Sequence, residues 1–169
     1  MGDPRQIRRK YNTPKHPWQS ERLEREKVIL ANYALKNKKE IWKTLAKVNY
    51  FRTRAKALAK SSHEEQQVLF KKLQAIGLKV STIAEVLDLK VEDLLNRRLP
   101  TIIVKKGLAN TPKQARQFVT HKKVMINNQI VNSPSYLVPI SFEESIQLKI
   151  IKSKEKKPEE AQEQKGEEQ

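Results

Sequence analysis

The sequence predicts an α+β protein: a helical lobe, then a small module in which one short basic helix feeds an antiparallel sheet. Three observations carry this. Apolar residues recur at helical spacing through residues 19–60. Residues 111–121 read as a capped helix with a basic face. From Val124 the apolar period changes to two, the mark of half-buried strands.

Residues 1–18 carry Arg5, Arg8, Arg9, Lys10 and Lys15 against Asp3, with Pro4, Pro14 and Pro17. Such a segment cannot build a core and reads as an extended basic arm that orders on a partner. Trp18 is expected to close it by packing onto the first helix. Residues 19–94 form the helical lobe. Ser20 is a candidate N-cap, followed by Leu23, Val28, Leu30, Ala31, Ala34 and Leu35. Asn37 interrupts the run, and a second helix is expected over 38–60. Its core side would be Ile41, Leu45, Val48, Ala55, Leu58 and Ala59, and its cationic side includes Lys43, Lys47, Arg52 and Arg54.

Residues 61–94 hold 4 basic and 6 acidic residues, against 12 and 4 in residues 19–60, so the positive field is not uniform. Here Ser62 and Glu65 have the form of a capping box, Leu69, Leu73 and Ile76 line a short helix, and Gly77 suits the left-handed residue past its end. Another short helix begins near Ser81. The stretch reads as scaffold between two basic surfaces.

Residues 95–151 form the second module, with Leu94, Leu95 and Leu99 as core candidates and Arg97 and Arg98 directed elsewhere. Pro100 breaks or restarts the helix, and Ile102, Ile103 and Val104 lead to Lys105, Lys106 and Gly107. Thr111, Pro112, Lys113 and Gln114 combine a capping box with a proline whose missing donor costs nothing at a first helical position. Ala115, Phe118 and Val119 make the core stripe, leaving Lys113, Arg116, Gln117 and Thr120 on other faces. Two strands flank Asn127 and Asn128, residues that tolerate the positive φ of a tight hairpin. Tyr136, Leu137 and Val138 are expected as a third strand, and Ile146, Leu148 and Ile150 as a fourth. Residues 152–169, rich in Glu, Lys and Gln, read as a disordered charged tail.

The formal net charge of +16, from 35 Lys and Arg against 19 Asp and Glu, makes a polyanion the natural partner. Each phosphate neutralised by a cation releases a counterion. A merely soluble basic protein is the plain alternative. Cysteine is absent, so thiolate metal sites, disulfides and thiol nucleophiles are excluded. His16, His63 and His121 have no metal-ligand spacing. No apolar run spans a membrane and no secretory signal is read, so a soluble, intracellular protein without metal or cofactor is expected.

Arg98 and Leu99, Gly107 with Ala109, the run Thr111 to Gln117, Val119, His121, Ile126 with Asn127, Val131, and Pro134 to Tyr136 together resemble the S-four RNA-binding module. Tyr11 to Pro14, Pro17 with Trp18, Arg22 with Leu23, and Asn37 to Trp42 look like the archaeal and eukaryotic branch of the ribosomal S-four family. That resemblance implies a helical lobe joined to short helices packed on a small, mostly antiparallel sheet. It implies a primary binder of a multi-helix junction in the 5′ domain of small-subunit ribosomal RNA. It also implies a place in the cytoplasmic small subunit, lining the messenger-RNA entrance beside proteins S-three and S-five. Two positions depart from the family pattern: Lys122 and Asn128 stand where glycine is usual. The bacterial cysteine cluster for zinc is absent.

A-form RNA hides its major groove, so contacts to phosphates, 2′-hydroxyls and junction shape are expected. The central patch would be Arg97, Arg98, Lys105, Lys106, Lys113, Arg116, Lys122 and Lys123. Gln114, Gln117, His121 and Asn127 would hydrogen-bond sugars or base edges. Arg52, Arg54, Lys43 and Lys47 would hold a second RNA segment, with the arm threaded between RNA helices. Three rivals remain on the residues: an RNA-modifying enzyme, for which no catalytic constellation, phosphate loop or small-molecule site is found; a DNA regulator using residues 111–121 as recognition helix; and a non-ribosomal RNA chaperone using the same module.

Overall fold

The computed structural model describes residues 10–149; Arg5, Arg8, Arg9, the far end of the arm and the charged tail lie outside them. The helical lobe holds α1 (Ser20–Asn32), α2 (Lys38–Leu58), α3 (His63–Ile76), α4 (Ile83–Asp88) and α5 (Val91–Asn96). The module holds α6 (Leu99–Lys105), α7 (Pro112–Thr120), β1 (Val124–Ile126), β2 (Gln129–Ile130), α8 (Ile140–Glu143) and β3 (Ile146–Leu148). The fold is α+β, with an antiparallel sheet in the order β2-β1-β3.

α2 is the spine of the lobe and packs against α1, α3, α4 and α5. Its buried side is Ile41, Val48, Phe51 and Ala55. Val48, Phe51 and Ala55 meet Leu69, Phe70 and Leu73 of α3, with Val86, Leu89 and Leu94 closing the cluster. Leu45 is 40 % exposed and Val28 59 % exposed, so these two positions lie off the core side assigned from spacing. Phe51, three residues after Val48 and four before Ala55, fills the core instead.

The second core is separate. Leu99, Ile102 and Ile103 of α6 pack with Ala115 and Val119 of α7 and with Val124, Ile126, Val138 and Ile146. α6 restarts at Leu99 because Pro100, in its first turn, has no donor to lose. Thr111 caps α7, its hydroxyl accepting from the Gln114 amide at 3.3 Å. The Gln114 side chain accepts from the Asn110 amide at 2.9 Å, one residue before the cap, so the box closes one position early.

Other local expectations are corrected. Ser20 is the first helical residue and Gln19 the N-cap. Ser62 caps α3 by position but makes no side-chain bond. The full capping box is instead Thr82 with Glu85, at the start of α4. Leu137 does not join the sheet but bridges Arg98, with the Leu99 amide donating to the Tyr136 carbonyl at 2.9 Å and the Val138 amide to the Arg97 carbonyl at 3.0 Å. That segment therefore ties the sheet-bearing module to the lobe junction rather than extending the sheet. Trp18 is 86 % exposed. The aromatic that holds the arm is Trp42, which stacks on Tyr11 at 6.2 Å and donates to the buried Glu26 carboxylate at 2.9 Å. Arg22 helps by donating to the carbonyls of His16 and Pro17, each at 2.8 Å.

Both glycine-replaced positions keep the glycine conformation. Asn127 and Asn128, at φ 48° and 63°, form the two-residue turn between β1 and β2. Lys122, at φ 58°, ends α7 in a Schellman turn, with the Lys123 amide donating to the Phe118 carbonyl at 2.9 Å. A side chain in this region is strained, so Lys122→Gly is expected to raise stability by about 0.5–1 kcal/mol, part of the strain relief being offset by a freer unfolded chain. Urea unfolding checks it, with a higher midpoint at unchanged slope as the expected result.

Candidate nucleic-acid interface

Where α2 meets the second module, the sequence brings three charged side chains together from far apart in the chain. Glu40, in the first turn of α2, receives Arg116 of α7 through a two-pronged contact, Nη2 to Oε1 at 2.7 Å and Nη1 to Oε2 at 3.2 Å. Arg98 reaches the same Oε2 at 2.7 Å. Arg116 also donates to the Ala34 carbonyl at 3.3 Å, and Arg98 to the Pro134 carbonyl at 3.2 Å. Burial pushes the Glu40 carboxyl up, but the hydrogen bonds and charges of Arg116 and Arg98 outweigh it and hold the pKa at about 2. Charge-assisted bonds of this kind are the strong ones.

Arg97 and Arg52 are likewise engaged within the chain. Arg97 donates to the Ile76 carbonyl at 2.8 Å and, through Nη2, to the Val138 carbonyl and the Glu143 carboxylate, each at 3.0 Å. Arg52 donates to the Leu89 carbonyl at 2.8 Å. Four arginines assigned to RNA from composition thus have their guanidiniums spent on joining elements of the fold. Gln114 is spent on the α7 cap.

The remaining assigned cations are free of ion pairs among the described residues. Lys43 and Lys47, with Lys39, line a cleft of about 390 Å³ between α2 and the module, whose floor holds Glu40, Arg98 and Arg116. Partial burial pulls the Lys47 ammonium pKa down, and the nearby charges of Arg98 and Lys10 add to the effect. Arg54 is exposed farther along α2. On the module, Lys105 and Lys106 are exposed where α6 ends, and Lys113 and Gln117 of α7 and His121 at its C-terminal cap follow one another at helical spacing. Lys123 lies 5.8 Å over the Phe118 ring, Lys122 is exposed at the α7 terminus, and Asn127 stands in the hairpin turn. Two cationic fields result, one on α2 and one around α7.

Sequence reasoning did not single out Glu40. Its signal was faint: the only carboxylate of α2. Among the described residues no group of three or more His, Asp or Glu is placed to hold a metal ion, and no helix is long and apolar enough to cross a membrane.

Residues 97–141 match the S4 domain family, so the match begins at the junction arginines and ends in α8. Over 153 residues the chain is 43 % identical to the small ribosomal subunit protein uS4 of Methanococcus aeolicus, covering 86 % of each chain. It is 43 % identical over 155 residues to the uS4 protein of Picrophilus torridus, covering 86 % of this chain and 85 % of that one. It is 40 % identical over 154 residues to the uS4 protein of Methanococcus maripaludis, covering 87 % and 86 %. The likeness therefore takes in the helical lobe as well as the matched domain, and the chain belongs to the small ribosomal subunit protein uS4 family.

Proposed function

We propose that the chain is a structural, non-enzymatic constituent of the small ribosomal subunit. In this reading it grips a multi-helix junction in the 5′ domain of small-subunit ribosomal RNA during assembly. It then lines the messenger-RNA entrance in the cytoplasmic ribosome, beside proteins S-three and S-five. The observation that carries the reading is the pair of unpaired cationic fields, on α2 and around α7, held in fixed relation by the Glu40 cluster. Two fields on one rigid frame suit two RNA segments meeting at a junction, and gripping phosphates and 2′-hydroxyls needs shape more than base readout.

The RNA-contacting set in this reading is Lys43, Lys47 and Arg54 on α2, and Lys105, Lys106, Lys113, Gln117, His121, Lys122, Lys123 and Asn127 on the module. Arg5, Arg8, Arg9 and Lys10 of the arm complete it. Arg52, Arg97, Arg98, Arg116 and Gln114 become positioning residues. The test uses an RNA four-way junction, a DNA duplex and a range of salt. The account expects preference for the RNA junction and affinity that falls steeply with salt. Lys113→Glu is expected to weaken binding about tenfold and flatten the salt slope by about one unit, while Lys71→Glu, on α3, leaves both unchanged. Equal loss in the two variants, or a flat salt response, would overturn the placement of the surface.

A further inference from the structure

The exposed side of α2, whose lysines border the cleft toward the module, carries more than charge. Lys39, Lys43, Lys47, Tyr50 and Arg54 fall within an arc of roughly 80° at the α-helical 3.6 residues per turn, turned away from the buried Val48 and Ala55. No carboxylate interrupts the row, because Glu40, the only acid of α2, is occupied by Arg98 and Arg116. Among the described residues none of these four cations has an ion-pair partner. Successive lysines stand one turn apart, a rise of about 6 Å, close to the spacing of phosphates along an extended strand.

Tyr50 is the anomaly in this row. It is 55 % exposed, and its hydroxyl makes no hydrogen bond among the described residues. Tyr33 and Trp42, by contrast, are committed within the chain: Tyr33 donates to Asn96 at 3.2 Å, and Trp42 is held by Glu26 and Tyr11. Tyr50 is braced from one side only, edge-on to the buried Phe51 at 5.7 Å and 61°. A ring with a fixed seat and a free face, in a row of unpaired cations, has the composition of a single-strand stacking platform. Cations track the backbone and the aromatic face takes a base.

We propose that the α2 row binds an unpaired stretch of RNA, with Tyr50 stacking on one base and Lys43, Lys47 and Arg54 on the flanking phosphates. This rests on the RNA-binding reading above and names one of its two segments as single-stranded. A base-paired helix has no free base face to offer Tyr50, whereas an unpaired base in a loop or linker does.

The test titrates the full chain with a short labelled oligouridylate and with an RNA duplex of equal phosphate number, following anisotropy across salt. Tyr50→Ala is expected to lose about tenfold in affinity for the single strand, with an unchanged salt slope and unchanged duplex affinity. Tyr50→Phe retains wild-type affinity, since the ring and not the hydroxyl does the stacking. Lys43→Gln flattens the salt slope on the single strand. Wild-type affinity of Tyr50→Ala for the single strand, or an equal loss on the duplex, overturns the proposal while leaving the RNA-binding reading intact. Failure of the wild-type chain to bind either RNA overturns both.

Discussion

Glu40→Gln is expected to destabilise the chain by about 2–3 kcal/mol, a large fraction of the stability of a domain this size. The carboxylate answers two guanidiniums, each at 2.7 Å, with a side chain only 18 % exposed. A neutral amide leaves Arg98, itself 6 % exposed, facing Arg116 without a counter-charge. Arg116→Glu is expected to fail for the related reason that it sets a carboxylate against Glu40; a drop in RNA binding by that variant would report a broken fold. The pH dependence has a definite sign. The folded pKa of Glu40, about 2, lies below the ordinary 4.5, so its contribution is complete above roughly pH 5 and is lost as pH falls from 4.5 toward 2. After discounting for solvent screening the part lost is about 2 kcal/mol. Urea unfolding of wild type and Glu40→Gln at neutral and acid pH measures it. The two curves are expected to draw together as pH falls from 4.5 and to meet only as it approaches 2, and parallel curves at all pH values would remove Glu40 from the account.

Gly77→Ala is expected to cost about 3 kcal/mol, far more than one methyl group on a surface turn. Gly77 has φ +94°, which ends α3 in a left-handed turn that an L side chain adopts only under strain. A Cβ built there would also fall on Nε and Cζ of Arg97. Arg97 is a strut between the end of α3 and the second module, through the Ile76 and Val138 carbonyls and Glu143. Displacing it leaves those acceptors unpaired in a partly buried place. Gly107→Ala supplies the control: Gly107 shares a positive φ of 71° but has nothing within 4 Å of a built Cβ, so the backbone term acts alone at about 1 kcal/mol. Equal losses at the two glycines would show that the Arg97 strut contributes little.

Much of the fold was legible because its signals are local. The α7 cap, the Pro100 restart, the Gly77 terminus and the change of period at Val124 are each set by residues close in sequence, and each stands in the structure. The Asn127–Asn128 turn was readable for the same reason. What escaped depends on partners distant in the chain. Phe51, three residues after Val48 and four before Ala55, had the spacing of the core side and was left out of it, while Leu45 lies at its edge, where packing with other elements decides what is covered. Trp18 was expected to anchor the arm because it adjoins it in sequence, whereas Trp42, held by the buried carboxylate of Glu26, does so in the structure. The charged site was the least legible part. An arginine in a basic run carries no mark of whether it faces solvent or a carboxylate 58 or 76 positions away.

The central claim is that this chain sits on the small ribosomal subunit through direct grip on its RNA. The measurement that tests it most directly is sucrose-gradient fractionation of native lysate at low and high salt, with the protein located by immunoblot. The account predicts co-sedimentation with the small subunit at both salts, because two cationic fields held on one frame must be released together. Recovery in the soluble top fractions at moderate salt would contradict it, leaving an RNA-binding module that visits the ribosome without being part of it.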